Sequence, residues 1–179
     1  NDCRVPRENL LGTEEVSLDK GFSGVMQTFD NTRPVVAAMA VGVAMASIER
    51  TKELLKKQGI DADYKRPAKL SSHLVAELYS MEAELEAARL LTIKAAWMAD
   101  NGQPNSMEAS ISKAKAGRVA NSITLKCVEL LGTVGYCEDE LLEKWARDSK
   151  ILDIFEGTQQ IQLLIIARRL LEKSSSELK

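Results

Sequence analysis

Hydrophobic positions along this chain recur every three or four residues almost from end to end, the spacing of one buried face of an α-helix. The first long helix is predicted to begin near Gly21 or Asp30 and to run to about Gln58. Val36, Met39 and Val43 form its buried stripe, and Leu54 and Leu55 continue it. Ala37, Ala38, Ala40, Gly42, Ala44 and Ala46 keep this helix thin, so neighbours can approach on more than one side. The polar stretch "KKQGIDADYKRPAK", punctuated by Gly59 and Pro67, reads as a loop. A second helix carries Leu70, Leu74, Leu78, Met81, Leu85, Ala88 and Leu91 in an amphipathic row, and "DNGQPN" stops it. Asn105 followed three residues later by Glu108 resembles a capping box opening a third helix. Ala116, Val119, Ile123, Cys127 and Leu130 line the inner face of that helix, and Gly132 ends it. A short fourth helix is predicted over 138–149 and a last one over 158–173.

Three long helices and a terminal fourth, joined by short loops, make an all-α fold, an antiparallel (up-down) bundle. Strand alternation is confined to the first dozen residues, where "NDCRVPRENLLG" reads as the tail of a strand running into a turn. With no Met at its start, the chain opens as if in mid-protein. There is no internal repeat, and the Ser-rich tail "EKSSSELK" is the one low-complexity tract.

Composition narrows the function classes. Aromatics are only 4% of the 179 residues, so the core must be built from Leu, Ile, Val, Ala and Met. A net charge of −2, with acids and bases interspersed, leaves no footprint for nucleic acid or an anionic membrane. The run at 35–47 is far shorter than the ~20 apolar residues of a membrane span. His73 is the sole histidine, which removes His-based triads and His-rich metal sites, and no metal ligand set is visible. Cys3, Cys127 and Cys137 lack any metal or disulfide spacing and read as reduced thiols acting as small buried hydrophobes.

Three stretches could carry chemistry. Glu156 follows Ile154 and Phe155 and precedes Gly157 and a Leu/Ile-rich helix. An apolar flank disfavours its carboxylate, whereas the helix start favours it. The residue fits either a general base in a dry setting or a plain helix-start acid. In "FDNTRP", Pro34 suits a first helical turn, so Asp30, Asn31 and Thr32 would open the long helix. Asp30 and Arg33 there either face a polar ligand or form a local pair. In "ELLGTVGY", two glycines could admit a phosphate or ribose, or merely stop a helix and turn the chain.

Taken together, "DNTRPVVAAMAVG" (30–42), "EKWARDSKILDIFEGTQQIQLLIIARRLL" (143–171), "RLLTIKAAW" and "ASISKAKAG" resemble the C-terminal helical domain of flavin-dependent acyl-CoA dehydrogenases. "CRVPRENLLG" is similar to the end of the β domain that precedes it there. The resemblance covers essentially the whole chain, and the I-[YF]-E-G-T-x-Q-I-Q pattern is its most specific part. It implies residues 1–20 as the end of that β domain with its linker, and 21–179 as a C-terminal four-helix-bundle domain. It also implies α,β-dehydrogenation of an acyl-CoA with FAD, in which Glu156 removes the α-proton. Gly157 would then lie beside the substrate, Thr158 and Gln160 would face the flavin nucleotide, and Asp30, Thr32 and Arg33 would line the acyl-CoA channel. Some relatives carry their base at the position of Thr32, which cannot serve as one here.

The same resemblance implies an electron-transfer flavoprotein or similar acceptor, a homo-tetramer or hetero-oligomer, and a place in fatty-acid β-oxidation. The compartment would be a bacterial cytoplasm, or the mitochondrial matrix in a eukaryote. The domains that usually precede this one are missing, which reads as a piece of a longer enzyme. Two departures stand out. Where the family carries an Arg reaching a neighbouring subunit's FAD, this chain has Gln58. Its Gln-x-x-Gly-Gly counterpart reads Glu129-Leu-Leu-Gly132-Thr133. Groups serving the chain's own flavin are kept and those lent to a neighbour are altered. That pattern implies a hetero-oligomer with a paralogous subunit, or a clamp in which Lys65 or Arg66 substitutes. The alternative from another class is a non-catalytic interaction subunit that binds no flavin.

Overall fold

The computed structural model describes residues 2–10, 18–174 and 177. Five α-helices follow one another: α1 Leu18–Lys57, α2 His73–Asp100, α3 Ser106–Leu131, α4 Leu142–Ser149 and α5 Gln159–Leu171. They are joined by 3₁₀ turns at Ala68–Leu70, Glu138–Glu140 and Lys150–Asp153. No strand occurs among the described residues. The segment expected to end a strand carries a 3₁₀ turn at Arg7–Asn9, and residues 11–17 of the expected linker lie outside the described residues.

The long helices run up, down and up. Asn105, just before α3, reaches both Asp30 on α1 and Ala95 on α2. At the opposite end, Lys52 of α1 pairs with Glu82 of α2. Helix α3 is the central element and packs against α1, α2, α4 and α5. The buried row of α1 is Val36, Ala37, Ala40, Ala44, Ile48, Thr51 and Leu55, whereas Met39 is 53% exposed and Val43 only partly buried. The expected Val36–Met39–Val43 stripe is therefore turned from the true one. Small alanines let α1 and its neighbours approach closely, and close packing outweighs the bulk of Met39. By length and composition α1 could cross a bilayer, but this row is buried against the other helices, as in the core helix of a globular domain. In α2, Leu78, Met81 and Ala88 are buried as the pattern predicts, while Leu70 falls before the helix and is exposed. In α3, Ala116, Val119, Ile123 and Cys127 are buried.

Three further expectations are corrected. Helix α1 begins at Leu18, so Pro34 lies inside it rather than in its first turn. Asn105 is the N-cap residue of α3 but makes no side-chain capping bond, because its amide is committed to Asp30 and Ala95. Glu108 pairs instead with Lys94 across to α2 at 3.5 Å. The helix expected over 138–149 is broken at Leu141, which has φ +61. The acidic turn before it is tied to α1 by Arg50, whose Nε donates to Glu140 Oε2 at 2.8 Å. Among the cysteines only Cys127 is buried; Cys3 and Cys137 are exposed.

Candidate active site

Pro34 has no N–H, so inside α1 it cannot satisfy the carbonyl of Asp30 one turn earlier. The amide of Asn105 supplies the donor instead, Nδ2 to Asp30 O at 3.2 Å, and bonds Ala95 O at 3.2 Å as well. This substitution fixes the α1 turn that carries Asp30, Thr32 and Arg33. Arg33 is 3% exposed, and its Nη1 donates to Asp30 Oδ1 at 2.8 Å with the guanidinium 5.7 Å from the Phe29 ring centre. Burial pulls Arg33 below its ordinary value, and the charges of Asp30 and then Glu156 oppose that pull. The local-pair reading of Asp30 and Arg33 therefore holds, and the pair also faces Glu156.

Glu156 stands on the turn between the Lys150–Asp153 coil and α5. Glu156 and Gly157 have φ +55 and +100, two successive left-handed residues. The first costs about 1 kcal/mol or more for a residue with a Cβ, so the surroundings must hold it there. Three groups do. Lys113 Nζ donates to Gly157 O at 2.7 Å, Gln162 Nε2 donates to the carbonyls of both Glu156 and Gly157 at 3.1 Å, and the Thr158 hydroxyl caps α5 through Ile161 N at 3.5 Å. Gly157 is required here: a Cβ would stand 2.5 Å from Gln162 Nε2. A second close approach seats the preceding coil on α3, where a Cβ at Gly117 would lie 3.1 Å from Leu152 O. With its amide oriented to satisfy both ends, Gln159 bridges Ala114 O and Asp153 Oδ1 to Arg118.

The carboxylate itself is half-buried. Its Oε2 accepts a 2.6 Å hydrogen bond from Thr32 Oγ1, 124 residues away in sequence. Between α1 and α5 opens a cleft of about 620 Å³ walled by Asp30 and Arg33 on one side and by Ile165, Arg168, Arg169 and Lys173 on the other; Glu156 is not among its lining residues. Four cations against the carboxylates of Asp30 and Glu172 give this cleft a positive balance.

Asp30, Thr32, Arg33, Glu156, Gly157 and Thr158 thus gather at one place. Gln160 is one position further along α5 and exposed. Glu129, Gly132 and Thr133 are not brought there. They are exposed at the far end of α3, where Glu129 pairs with Lys126 at 2.8 Å. The 19 residues from Lys113 to Gly132 put that end about 28 Å away at 1.5 Å per residue. Gln58, Lys65 and Arg66 belong to the α1–α2 loop at that same end. Spacing along the sequence does not mark Lys113 or Gln162, and it marks Asn105 only as the opening of α3. Gln162 lies within the quoted I-[YF]-E-G-T-x-Q-I-Q pattern, and Lys113 within "ASISKAKAG", so motif membership alone could have flagged both.

A half-buried carboxylate on a strained turn, and a cationic cleft walled by the Asp30–Arg33 pair that faces it, mark a helical domain with one gathered polar site. Residues 19–171 match the family model described as acyl-CoA dehydrogenase, C-terminal domain, and the chain belongs to that family. It is 35% identical over 175 residues to the mitochondrial short-chain specific acyl-CoA dehydrogenase of Mus musculus, covering 98% of this chain and 41% of that protein. Among solved structures, butyryl-CoA dehydrogenase from Megasphaera elsdenii is similar with a TM-score of 0.80 at 35% identity, over 93% of this chain and 42% of that one. A chain in a structure of the electron transferring flavoprotein of Acidaminococcus fermentans gives a TM-score of 0.84 at 34% identity, over 97% and 44%. The chain spans about two fifths of the length of these relatives.

Proposed function

We propose that this chain is the base-bearing domain of an FAD-dependent acyl-CoA dehydrogenase that oxidises an acyl-CoA thioester to the 2-enoyl-CoA. The observation that carries the proposal is the Glu156 carboxylate. One of its oxygens is oriented by Thr32, the other takes no hydrogen bond from the described residues, and the backbone beneath it is locked by Lys113 and Gln162. A base that removes a weakly acidic C–H proton needs such a free, fixed oxygen. Glu156 takes the α-proton, and the electron pair of that C–H bond becomes the new Cα–Cβ π bond as the β-carbon gives up its hydrogen with two electrons. FAD, when bound, supplies the acceptor for that hydride.

The residues present fit one wall of a flavin site. Thr158 and the exposed Gln160 flank the N-terminus of α5, where the first backbone N–H groups lack intrahelical partners and suit a phosphate or a carbonyl oxygen. The rest of the pocket would come from the remainder of such an enzyme or from a second subunit. The exposed apolar side chains Leu90, Ile93 and Trp97 of α2 and Val35 of α1 suit that cover. The cationic cleft suits the phosphates of coenzyme A, with Arg33 and Asp30 at its edge. Short-chain substrates are favoured by the names of the relatives, and an electron-transfer flavoprotein is the natural acceptor.

The test is Glu156→Gln in the complete enzyme that carries this domain. It removes the basic group at nearly constant volume, so FAD content should persist while anaerobic flavin reduction by butyryl-CoA falls by several orders of magnitude. Near-normal reduction in the variant would sink the assignment.

A further inference from the structure

Glu156 sits midway between Asp153 and Gln159, whose side chains meet across the turn. With the Gln159 amide oriented to satisfy both ends, its Nε2 donates to Asp153 Oδ1 at 2.7 Å and to Ala114 O at 3.1 Å. Its Oε1 accepts from Nε and Nη2 of Arg118 at 3.0 and 3.1 Å. Ala114 and Arg118 lie one turn apart on α3, so a single face of that helix takes both ends of the amide. The other oxygen of Asp153 accepts from Lys150 at 2.9 Å, which leaves Oδ1 to Gln159.

Helix formation does not ask for this arrangement. Gln159 is the first residue of α5, where a backbone N–H has no intrahelical partner and the capping group comes from Thr158. The I-[YF]-E-G-T-x-Q-I-Q pattern leaves its position open. The amide nevertheless commits both donors and both acceptor sites, all to partners that packing brings there. Lys113 and Gln162 hold the middle of the turn through the carbonyls of Gly157 and Glu156. Its feet are left to Gln159, and the Asp153 foot lies against α3, where a Cβ at Gly117 would stand 3.2 Å from Asp153 Cα. We infer that Gln159, seated on Arg118, is a positioning residue for the reaction. It joins the two feet of the turn to each other and to α3, and so fixes where the Glu156 carboxylate stands. This rests on Glu156 being the base. With Glu156 at φ +55, the turn relaxes toward ordinary backbone once its feet can part, and the 2.6 Å bond from Thr32 marks the placement that would be lost. Displacing a reacting group by about 1 Å can cost about a hundredfold in rate.

The experiment uses Gln159→Ala, Arg118→Ala and the double variant in the complete flavin-loaded enzyme, with Glu156→Gln alongside. FAD content, the unfolding midpoint and anaerobic flavin reduction at varied butyryl-CoA are measured on each. Gln159→Ala keeps a good helix former and the Thr158 cap, so FAD should be retained. Its limiting reduction rate per bound flavin should fall roughly tenfold, with the half-saturating butyryl-CoA concentration within about twofold of the parent. Arg118→Ala removes one arm of the tie and should fall less. The double variant should be no slower than Gln159→Ala, because both changes act through one side chain. An unchanged rate per bound flavin in Gln159→Ala overturns the inference. So does a rise in half-saturating butyryl-CoA with the limiting rate kept. Loss of the fold in both single variants overturns it as well, since Gln159 would then be only a structural tie. If Glu156→Gln is inactive while the Gln159 and Arg118 variants are unchanged, only this inference fails. If Glu156→Gln still reduces flavin at a near-normal rate, the base assignment fails.

Discussion

Thr32 Oγ1 lies 2.6 Å from Glu156 Oε2, so the hydroxyl in the middle of α1 orients the carboxylate at the foot of α5. Under the function proposed above, Thr32 serves the base rather than acting as one. Thr32→Val keeps the shape and removes the donor. It should lower stability by about 1 kcal/mol, reduced from the usual value for a charged acceptor because the site is half-exposed. Flavin reduction in the complete enzyme should stay within about tenfold of the parent. Reduction lost as completely as in Glu156→Gln would move the proton transfer to Thr32.

The substitution of Asn105 for the missing N–H of Pro34 can be measured as a coupling. Asn105→Ala leaves the Asp30 carbonyl without that donor and should destabilise the fold by about 1–3 kcal/mol. Pro34→Ala returns a backbone N–H to the helix. It should therefore be more favourable in the Asn105→Ala background than alone, with a coupling of about 1 kcal/mol in a denaturant double-mutant cycle. Strict additivity would show that the two residues do not share this carbonyl.

Cys127 is fully buried between α3 and α1, and burial pushes its thiol up from 9.0 to about 11, a shift only partly offset by a hydrogen bond with Thr51. The native state therefore holds this proton where the unfolded chain has released it. Its contribution is complete below pH 9 and is lost as pH rises toward 11. The loss amounts to roughly 2–3 kcal/mol. Cys127→Ala should flatten that part of the alkaline decline, read as the difference between urea midpoints of parent and variant from pH 8 to 11. Parallel curves would contradict it.

Under the proposed function, the far end of the bundle bears on cofactor affinity. Gln58, Glu129, Gly132 and Thr133 all lie at the end opposite Glu156, so in that reading they would serve a neighbouring subunit's FAD rather than this chain's own. A cation facing a pyrophosphate forms charge-assisted bonds worth roughly 1.5–3 kcal/mol each, so Gln58→Arg should tighten FAD in the complete protein by about tenfold. Equilibrium dialysis against FAD measures it. Tight stoichiometric FAD in an unaltered homo-oligomer would refute the paralogous-partner reading and leave Lys65 or Arg66 as the clamp.

The sequence by itself determined the helical elements and most of their inward faces. Residues three and four apart share a helix face, so Leu78, Met81 and Ala88 or Val119, Ile123 and Cys127 declare burial without any partner being known. It also singled out Glu156, Gly157 and the Asp30–Arg33 stretch, because local punctuation and a specific motif mark them. Which side of the Ala-rich α1 is buried was not legible, since small residues on several faces permit more than one packing and only the neighbours choose. Of the two starts predicted for α1, the one near Gly21 is close to the observed Leu18 and the one at Asp30 fails for a related reason: Pro34 is disfavoured inside a helix unless another residue replaces its lost hydrogen bond. That residue, Asn105, is 71 positions away. Lys113 belongs to the same class: its bond to Gly157 O joins α3 to the turn across 44 residues, and no spacing along the chain encodes a contact that exists only once α3 and α5 are packed. Gln162 is different, since it reaches back only five and six residues to Gly157 and Glu156, and its place in the local motif marks it.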